Sequence, residues 1–321
     1  MKLTITITHY NEPWEVCKPL FDSIALQQGI DFGDIQILLV QDGNQGVLER
    51  SAIEAYKLPV EFIMRPKTGV SAARNSVFAW GKGEYVMFCD CDDMFCNMFG
   101  LHLLLSGIQD KPDIVSSKFV EENKIVAPYK LIGHDNDMTF VHGKIFRRDF
   151  LLENKLRFHE DLTRHEDSPF VFLAHQLTTN IKYISTPFYV WRWNPNSVMR
   201  SYGVGKALLY TYPDLMKTKE TVINDMQSHG LETKKFAAKF MLDTYYDFNR
   251  DEFTKAENEE HINNALHAAK RFWLKVKDLY FQNTAAELGE YMMIARSVAY
   301  NGGMLAERMT LPQFLALLGK L

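Results

Sequence analysis

Apolar and polar positions follow two alternating patterns along the first 200 residues. The short runs 35–40 and 85–89 have the length and composition of buried strands, and 3–8 also has a strand pattern. Between them, apolar residues recur at helical spacing over 14–28 and 71–80. An alternation of strands and helices predicts an α/β fold with a doubly wound, mostly parallel sheet. Further strands are predicted at 60–64, 114–119, 144–146, 181–184 and 188–193, and further helices near 47–56, 101–109, 149–154 and 168–176.

The pattern changes at about residue 203. From there onward apolar residues recur at helical spacing, as at Phe236 and Phe240, and strand patterns vanish. We therefore predict two domains, an α/β domain over 1–202 and an α-helical domain over 203–321. The second domain is expected to contact an acceptor or a partner, with oligomerisation as an alternative role.

Charge and cysteine content narrow the class of protein. The net charge is −4, and residues 203–321 hold 15 basic and 15 acidic residues, so the acidic excess lies in the first domain. This balance argues against nucleic acid as a partner. None of the four cysteines forms a Cys-x-x-Cys pair, which favours buried reduced thiols over a zinc site. With a strand pattern from residue 3 and no apolar run of about 18 residues, we expect a cytoplasmic protein without a signal peptide or membrane span.

Three carboxylates follow the predicted strand 85–89. Asp90, Asp92 and Asp93 lie where open α/β sheets bind ligands, at the carboxyl end of a strand. They repel one another unless a cation joins them, and hard oxygen ligands suit Mn²⁺ or Mg²⁺ shared with a diphosphate. The alternative is an acidic turn without a ligand.

Five short motifs occur in a recognisable order. They are TITHYN (6–11), VQDGN (40–44), GVSAARN (69–75), CDCDD (89–93) and HED (165–167). Together they resemble the motif set of family 2 glycosyltransferases, which are inverting enzymes that use nucleotide-sugar donors. The resemblance covers about residues 2–200. It implies a GT-A fold, a Rossmann-like nucleotide-binding half and a UDP-sugar donor.

The resemblance also implies how the donor is held. The end of the first strand would contact the nucleoside, and Asp42 would accept the imide N–H of uracil, although Asp42 with Gly43 could instead form a simple turn. A basic group near the start of a helix would neutralise phosphate, although Arg74 could instead form an ion pair with the Asp cluster. A loop after the last strand would close on the diphosphate. The donor-binding candidates are Thr8, Tyr10, Asn11, Asp42, Lys67, Arg74, Asp90, Arg192 and Ser197.

The catalytic roles follow from the same resemblance. Asp92 would bind the metal, with Asp93 as its alternate. Asp167 would act as the general base on the acceptor hydroxyl, and Glu166 would orient or bind the acceptor. Acids at a helix N-terminus are also favourable for the helix dipole without any catalytic role.

The chain departs from the family pattern at two places, and other functions stay open. Thr8-His9 stands where the family commonly has Pro-Thr, and Gln41 precedes Asp42 where it commonly has a second acid. The alternatives are a non-catalytic sugar- or partner-binding module on the same scaffold and a nucleotidyltransferase. A carbohydrate or glycopolymer acceptor is expected, but the sequence identifies neither the acceptor nor the transferred sugar.

Overall fold

The computed structural model describes residues 1–43, 49–124, 130–197, 207–250, 253, 259–301 and 309–320. The chain forms two compact units, Met1–Pro195 and Asn196–Leu321. The predicted domain boundary at residue 202 lies outside the described residues, and the division falls a few residues before it.

The first unit begins with a parallel half-sheet. Its strands are β1 (Leu3–His9), β2 (Ile35–Asp42), β3 (Val60–Arg65) and β4 (Tyr85–Asp90), in the order β3-β2-β1-β4. Residues of β1 and β2 are buried along their whole length, including the polar Thr4 and Gln36, which pair through a 2.8 Å hydrogen bond from the Thr4 hydroxyl to Gln36 Oε1. The chain winds outward from β1 to β3 and then returns to the other side of β1 at β4. Neighbouring connections therefore diverge between β1 and β4, where such sheets form a ligand crevice.

The second half of the sheet is mixed. Its strands are β5 (Met94–Phe95), β6 (Ile114–Asn123), β7 (Lys130–His134), β8 (Lys144–Arg147) and β9 (Ile181–Trp191). Strand β8 lies antiparallel between β4 and β6, and β9 runs parallel to β6. Strand β7 pairs with β6 and β5 with β9, both antiparallel. The parallel order expected from the sequence therefore describes the first half of the sheet, and the inserted β8 makes the second half mixed.

The helices of the first unit connect these strands. They are α1 (Trp14–Ala25), α2 (Arg50–Glu54), α3 (Val70–Asn75), α4 (Val77–Trp80), α5 (Gly100–Ser106), α6 (Arg148–Glu153) and α7 (Asp167–Leu177), with a 3₁₀ turn at Phe32–Asp34. The predicted helix 71–80 is two helices that meet at Ser76, whose hydroxyl accepts a 2.9 Å hydrogen bond from Arg65. The predicted strands 181–184 and 188–193 are the single strand β9.

The second unit is helical in the described residues, as predicted. Its helices are α8 (Ala207–Ser228), α9 (Lys234–Phe248), α10 (Glu259–Tyr280), α11 (Ala285–Asn301) and α12 (Leu311–Lys320). They share one apolar core, which includes Tyr212, Met241, Phe272 and Phe314. Within the described residues, no helix combines the length and the apolar character needed to cross a membrane.

Candidate active site

The site forms at the carboxyl ends of β1 and β4. Thr8 and Asp90 face each other in the parallel register, and the Thr8 hydroxyl donates a 3.0 Å hydrogen bond to Asp90 Oδ1. Thr8 is the next-to-last residue of β1 and Asp90 is the last residue of β4, so both side chains lie at the carboxyl ends of their strands. The strand connections run in opposite directions on the two sides of this place, and Asp90 lies at the base of the crevice between them.

A buried arginine connects Asp90 to a second acidic segment, Glu166–Asp167. Arg74, on α3, is 2% exposed. Its Nη2 lies 2.9 Å from Asp90 Oδ1, and its Nη1 lies 2.9 Å from Glu166 Oε1 and also contacts Asp167 Oδ1. Burial acts to lower the pKa of Arg74, but the carboxylates outweigh it and raise the pKa, so the guanidinium stays charged. One cation therefore holds together carboxylates from β4 and from the start of α7.

Asp167 is the first residue of α7 and is buried. Its Oδ2 accepts a 3.2 Å hydrogen bond from the main-chain N–H of Val141, while its other oxygen contacts Arg74. Burial raises the pKa of Asp167 to about 7, against the opposing effect of Arg74. A carboxyl group with a pKa near neutrality can both accept and release a proton under ordinary conditions.

The two other carboxylates of the acidic cluster differ in environment. Asp93 is fully buried, and its oxygens accept hydrogen bonds from the Tyr189 hydroxyl at 2.5 Å and from the Arg192 main-chain N–H at 2.9 Å. Asp92 Oδ2 accepts a 2.8 Å hydrogen bond from the Asn194 side chain. Asp93 therefore fastens the turn after β4 to the end of β9. Among the described residues, the Asp92 carboxylate accepts fewer hydrogen bonds from protein groups than the Asp93 carboxylate does.

The electrostatics of this cluster fit a cation. Burial, together with the charge of Asp90, raises the pKa of Asp92 to about 6, so its ionised form lacks a compensating charge. Ligand atoms of Asp90, Asp93 and His142 lie within 4.8 Å of one another, and His142 Nδ1 has no hydrogen-bond partner among the described residues. The group found among the described residues does not include Asp92, and its Asp90 is paired with Arg74, so the His142 nitrogen and the Asp93 carboxylate are the atoms that a divalent ion would satisfy there.

The predicted nucleoside contacts lie at the ends of β1 and β2. The carboxylate of Asp42 accepts hydrogen bonds from the main-chain N–H groups of Thr68 and Gly69, at 2.9 and 2.8 Å. Lys67 Nζ lies 2.5 Å from the Tyr10 hydroxyl and 4.2 Å from the centre of its ring. Asp42 thus fixes the loop that precedes α3, and Tyr10 and Lys67 lie side by side.

Not every predicted residue joins this group. Asn11 is exposed after β1. Arg192 Nη1 donates to the main-chain carbonyls of Val16 and Asp92, each at 3.1 Å, so it braces the acidic turn. Ser197 lies in the second unit.

The sequence reasoning missed the Val141 N–H and the Tyr189 hydroxyl. A main-chain donor leaves no side-chain signal. Tyr189 lies in an apolar strand pattern in which a tyrosine is unremarkable.

Comparisons with known proteins identify the family. The family model described as Glycosyl transferase family 2 matches residues 4–169. The chain is 28% identical over 220 residues to the uncharacterized glycosyltransferase EpsJ of Bacillus subtilis, which covers 61% of this chain and 62% of that protein. The chain thus spans less than two thirds of the length of this relative.

Solved structures share the fold. The S. aureus protein TarS, solved as residues 1–349 in complex with UDP-GlcNAc, superposes with a TM-score of 0.63 at 19% identity, over 94% of this chain and 93% of that one. The mannosyltransferase PcManGT of Pyrobaculum calidifontis, solved with GDP-Man and Mn²⁺, gives a TM-score of 0.54 at 14% identity, over 99% and 86%. The expected fold is confirmed, and, as its five motifs predict, the chain belongs to glycosyl transferase family 2.

Proposed function

We propose that the protein is an inverting glycosyltransferase that moves a sugar from a UDP-sugar to an acceptor hydroxyl. The observation that carries this proposal is the Arg74 guanidinium, which bonds Asp90 on one side and Glu166 and Asp167 on the other. It brings a donor-side carboxylate and a candidate base onto one guanidinium group. We propose that the anomeric carbon and the attacking hydroxyl lie beside this group.

Asp167 is the proposed general base. It takes the proton of the acceptor hydroxyl as that oxygen attacks the anomeric carbon, and the bond from this carbon to the diphosphate breaks. A single displacement by an acceptor oxygen inverts the anomeric configuration. Burial raises the pKa of Asp167 to about 7, which lets it hold the proton at neutral pH. Glu166, beside it on Arg74, is proposed to orient the acceptor.

Asp92 is the proposed ligand of Mn²⁺ or Mg²⁺. Asp93 is the alternate ligand: it lies in one group with Asp90 and His142, and it also accepts the hydrogen bonds from Tyr189 and Arg192 that fasten the turn. When bound, the ion would neutralise charge on the departing diphosphate. Asp92 itself would hold that ion beside Asn194 and the loop after β9, where Arg192 braces the turn.

The donor nucleoside is proposed to lie over the ends of β1 and β2, near Thr8, Tyr10 and Asn11. An ionised carboxylate offers about four acceptor positions, so the bonds to Thr68 and Gly69 leave Asp42 able to accept the imide N–H of uracil. The UDP-GlcNAc complex of TarS supports a uridine donor, whereas the GDP-Man complex of PcManGT represents the guanosine alternative on the same fold. Lys67 is proposed to face the diphosphate.

Two further roles are proposed for groups outside this core. The loop that holds Arg192 and Ser197 would close on the diphosphate. The helices of the second unit would contact a carbohydrate or glycopolymer acceptor.

Arg74 is assigned to organising the carboxylates, because its Nη atoms bond Asp90, Glu166 and Asp167.

The proposal is tested first by donor binding. Calorimetry with UDP, GDP and CDP, each with Mn²⁺ and then with excess EDTA, should give the tightest binding for UDP with Mn²⁺. A preference for GDP would remove the uracil role of Asp42, and equal affinity in EDTA would remove the metal.

The second step is turnover. Hydrolysis of UDP-sugars should require Mn²⁺ or Mg²⁺, and NMR of the first-formed anomer should show inversion. Donor binding without hydrolysis or transfer, across a panel of glycan acceptors, would favour a non-catalytic binding module.

A further inference from the structure

A lysine is fully buried beside the proposed base. Lys144 is the first residue of β8 and is 0% exposed. Its Nζ donates a 2.8 Å hydrogen bond to the main-chain carbonyl of Phe140. A buried ammonium group loses its hydration, and this cost has to be offset by the groups that surround it.

The acceptor of this hydrogen bond belongs to a peptide group that also touches Asp167. The carbonyl of Phe140 and the N–H of Val141 are the two ends of one peptide unit. Lys144 bonds the carbonyl at 2.8 Å, and the N–H donates to Asp167 Oδ2 at 3.2 Å. A cation on the carbonyl polarises the peptide and strengthens the N–H as a donor, because linked hydrogen bonds reinforce one another.

The turn that carries this peptide is fixed from its other side by Asp137. Asp137 Oδ1 accepts hydrogen bonds from the main-chain N–H groups of Thr139, at 2.8 Å, and Phe140, at 2.7 Å. The same oxygen lies 3.7 Å from Lys144 Nζ. Lys144 and Asp137 therefore hold one turn with opposite charges.

We infer that Lys144 is a positioning residue for the reaction: through the Phe140–Val141 peptide it orients the Asp167 carboxylate and favours its ionised form. This inference rests on the proposed function, in which Asp167 is the base. It assigns to Lys144 an effect that depends on charge as well as on packing. The effect should therefore reverse in sign when the opposite charge, Asp137, is removed.

Other charged groups besides Lys144 also face the Asp167 carboxylate. Asp167 also faces Arg74, which stays charged, and the carboxylates of Glu166 and Asp90. Burial lowers the pKa of Lys144 to about 8, so its charge persists below that pH.

The histidines near Lys144 do not add a competing charge. Burial lowers the pKa of His142 to about 3 and also lowers that of His175, so burial disfavours a proton on either ring.

The test is a carboxyl titration that needs no substrate. The full-length protein is labelled with aspartate carrying ¹³C at the side-chain carboxyl, and the Asp167 signal is assigned by its loss in Asp167→Asn. Its midpoint is then compared in the wild type, in Lys144→Met and in Asp137→Asn. Methionine keeps the length and apolar stem of lysine without its charge. Asparagine keeps the oxygen that caps the turn.

The two variants should move the midpoint in opposite directions. Lys144→Met should raise it by about half to one pH unit, as expected for losing a nearby opposite charge. Asp137→Asn should lower it by a smaller amount. An unmoved or lowered midpoint in Lys144→Met would overturn the inference. Equal upward shifts in both variants would also overturn it, since they would reflect loosened packing alone. If Lys144→Met fails to fold, Lys144→Gln, which also lacks the charge, is titrated in its place, and the same upward shift is expected.

The role of Lys144 and the role of Asp167 as base can fail independently of each other. With UDP-GlcNAc hydrolysis as the activity, near-normal turnover by Asp167→Asn would defeat the role of Asp167 as base. It would leave the titration result standing. A dead Asp167→Asn together with an unmoved midpoint in Lys144→Met would defeat the role of Lys144 alone.

Discussion

Replacing Arg74 with methionine should destabilise the first unit strongly. The substitution removes the cation that contacts Asp90, Glu166 and Asp167 and leaves these carboxylates together in a buried place. Breaking a buried ion pair from one side costs about 3–5 kcal/mol. At roughly 2–4 °C per kcal/mol for a unit of this size, the melting temperature should fall by about 6–20 °C at pH 7.5.

The loss should depend on pH with a defined sign. Burial acts to raise the pKa of Asp90, but Arg74 outweighs it and the pKa is lowered. Stability from this pair is therefore present over the whole range from pH 7.5 to pH 5 and is lost only below the unfolded-state pKa, so a change over this range comes from the variant. Without Arg74 the carboxylates take up protons more readily. The difference between Arg74→Met and the wild type should shrink between pH 7.5 and pH 5.

Arg147 provides the matched control. It pairs with Asp113 at 2.7 Å, but its side chain is 23% exposed, so Arg147→Met should cost only about 1 kcal/mol. Differential scanning calorimetry of both variants and the wild type at pH 7.5 and pH 5 provides the measurement. Equal losses in the two variants at pH 7.5, or a loss in Arg74→Met that does not change with pH, would refute the reasoning.

Three further predictions concern the proposed chemistry. Asp167→Asn should keep its calorimetric affinity for UDP and lose about 10²–10⁴-fold in kcat. Glu166→Gln should mainly raise the KM for the acceptor. A near-normal kcat in Asp167→Asn would count against Asp167 as the base. Asp92→Asn should lose the gain in UDP affinity that Mn²⁺ gives, and an undiminished gain would move the metal to Asp93. Turnover should rise through about pH 7, because burial raises the pKa of Asp167 to about 7 and a base acts only when unprotonated; a flat profile from pH 5 to pH 8 would contradict this.

Much of the first half of the sheet could be read from the sequence. The runs that became β2 and β4 are largely apolar, as expected for strands covered on both faces, and β1 alternates apolar residues with threonine, which is also typical of a strand. The break of the predicted helix 71–80 at Ser76 could not be read. It depends on Arg65, a residue outside the helix whose donor reaches the Ser76 hydroxyl.

The second, mixed half of the sheet was harder to predict from the sequence. Strand β7 carries no apolar alternation that separates it from a loop, and its residues are largely exposed. The proline at 187 split β9 into two predicted strands, because a proline in a strand removes a ladder donor. The structure keeps one strand, with a register shift between Ser117 and Phe119 on its partner β6.

The same contrast holds for the site. Motif order predicted that Arg74, Asp90 and the Glu166–Asp167 pair belong to one place, and the ion pairs bring them together. The bond from Val141 to Asp167 could not be predicted, because any residue can supply a main-chain N–H. The burial of Lys144 was equally hidden, because a lysine beginning a short strand reads as a surface residue.

The ion-pair group also constrains when the enzyme becomes competent during synthesis. Arg74 and Asp90 are 16 residues apart, so they can pair as soon as the first strands assemble, whereas Asp167 follows Arg74 by 93 residues. Domains fold from the N-terminus as the chain emerges, so the nascent protein first holds a cation with one carboxylate. On the proposed mechanism, the arrival of α7 both neutralises that cation and delivers the base. On the same mechanism, a translation product that stops before α7 would have the strands that receive the nucleotide but no group to activate an acceptor.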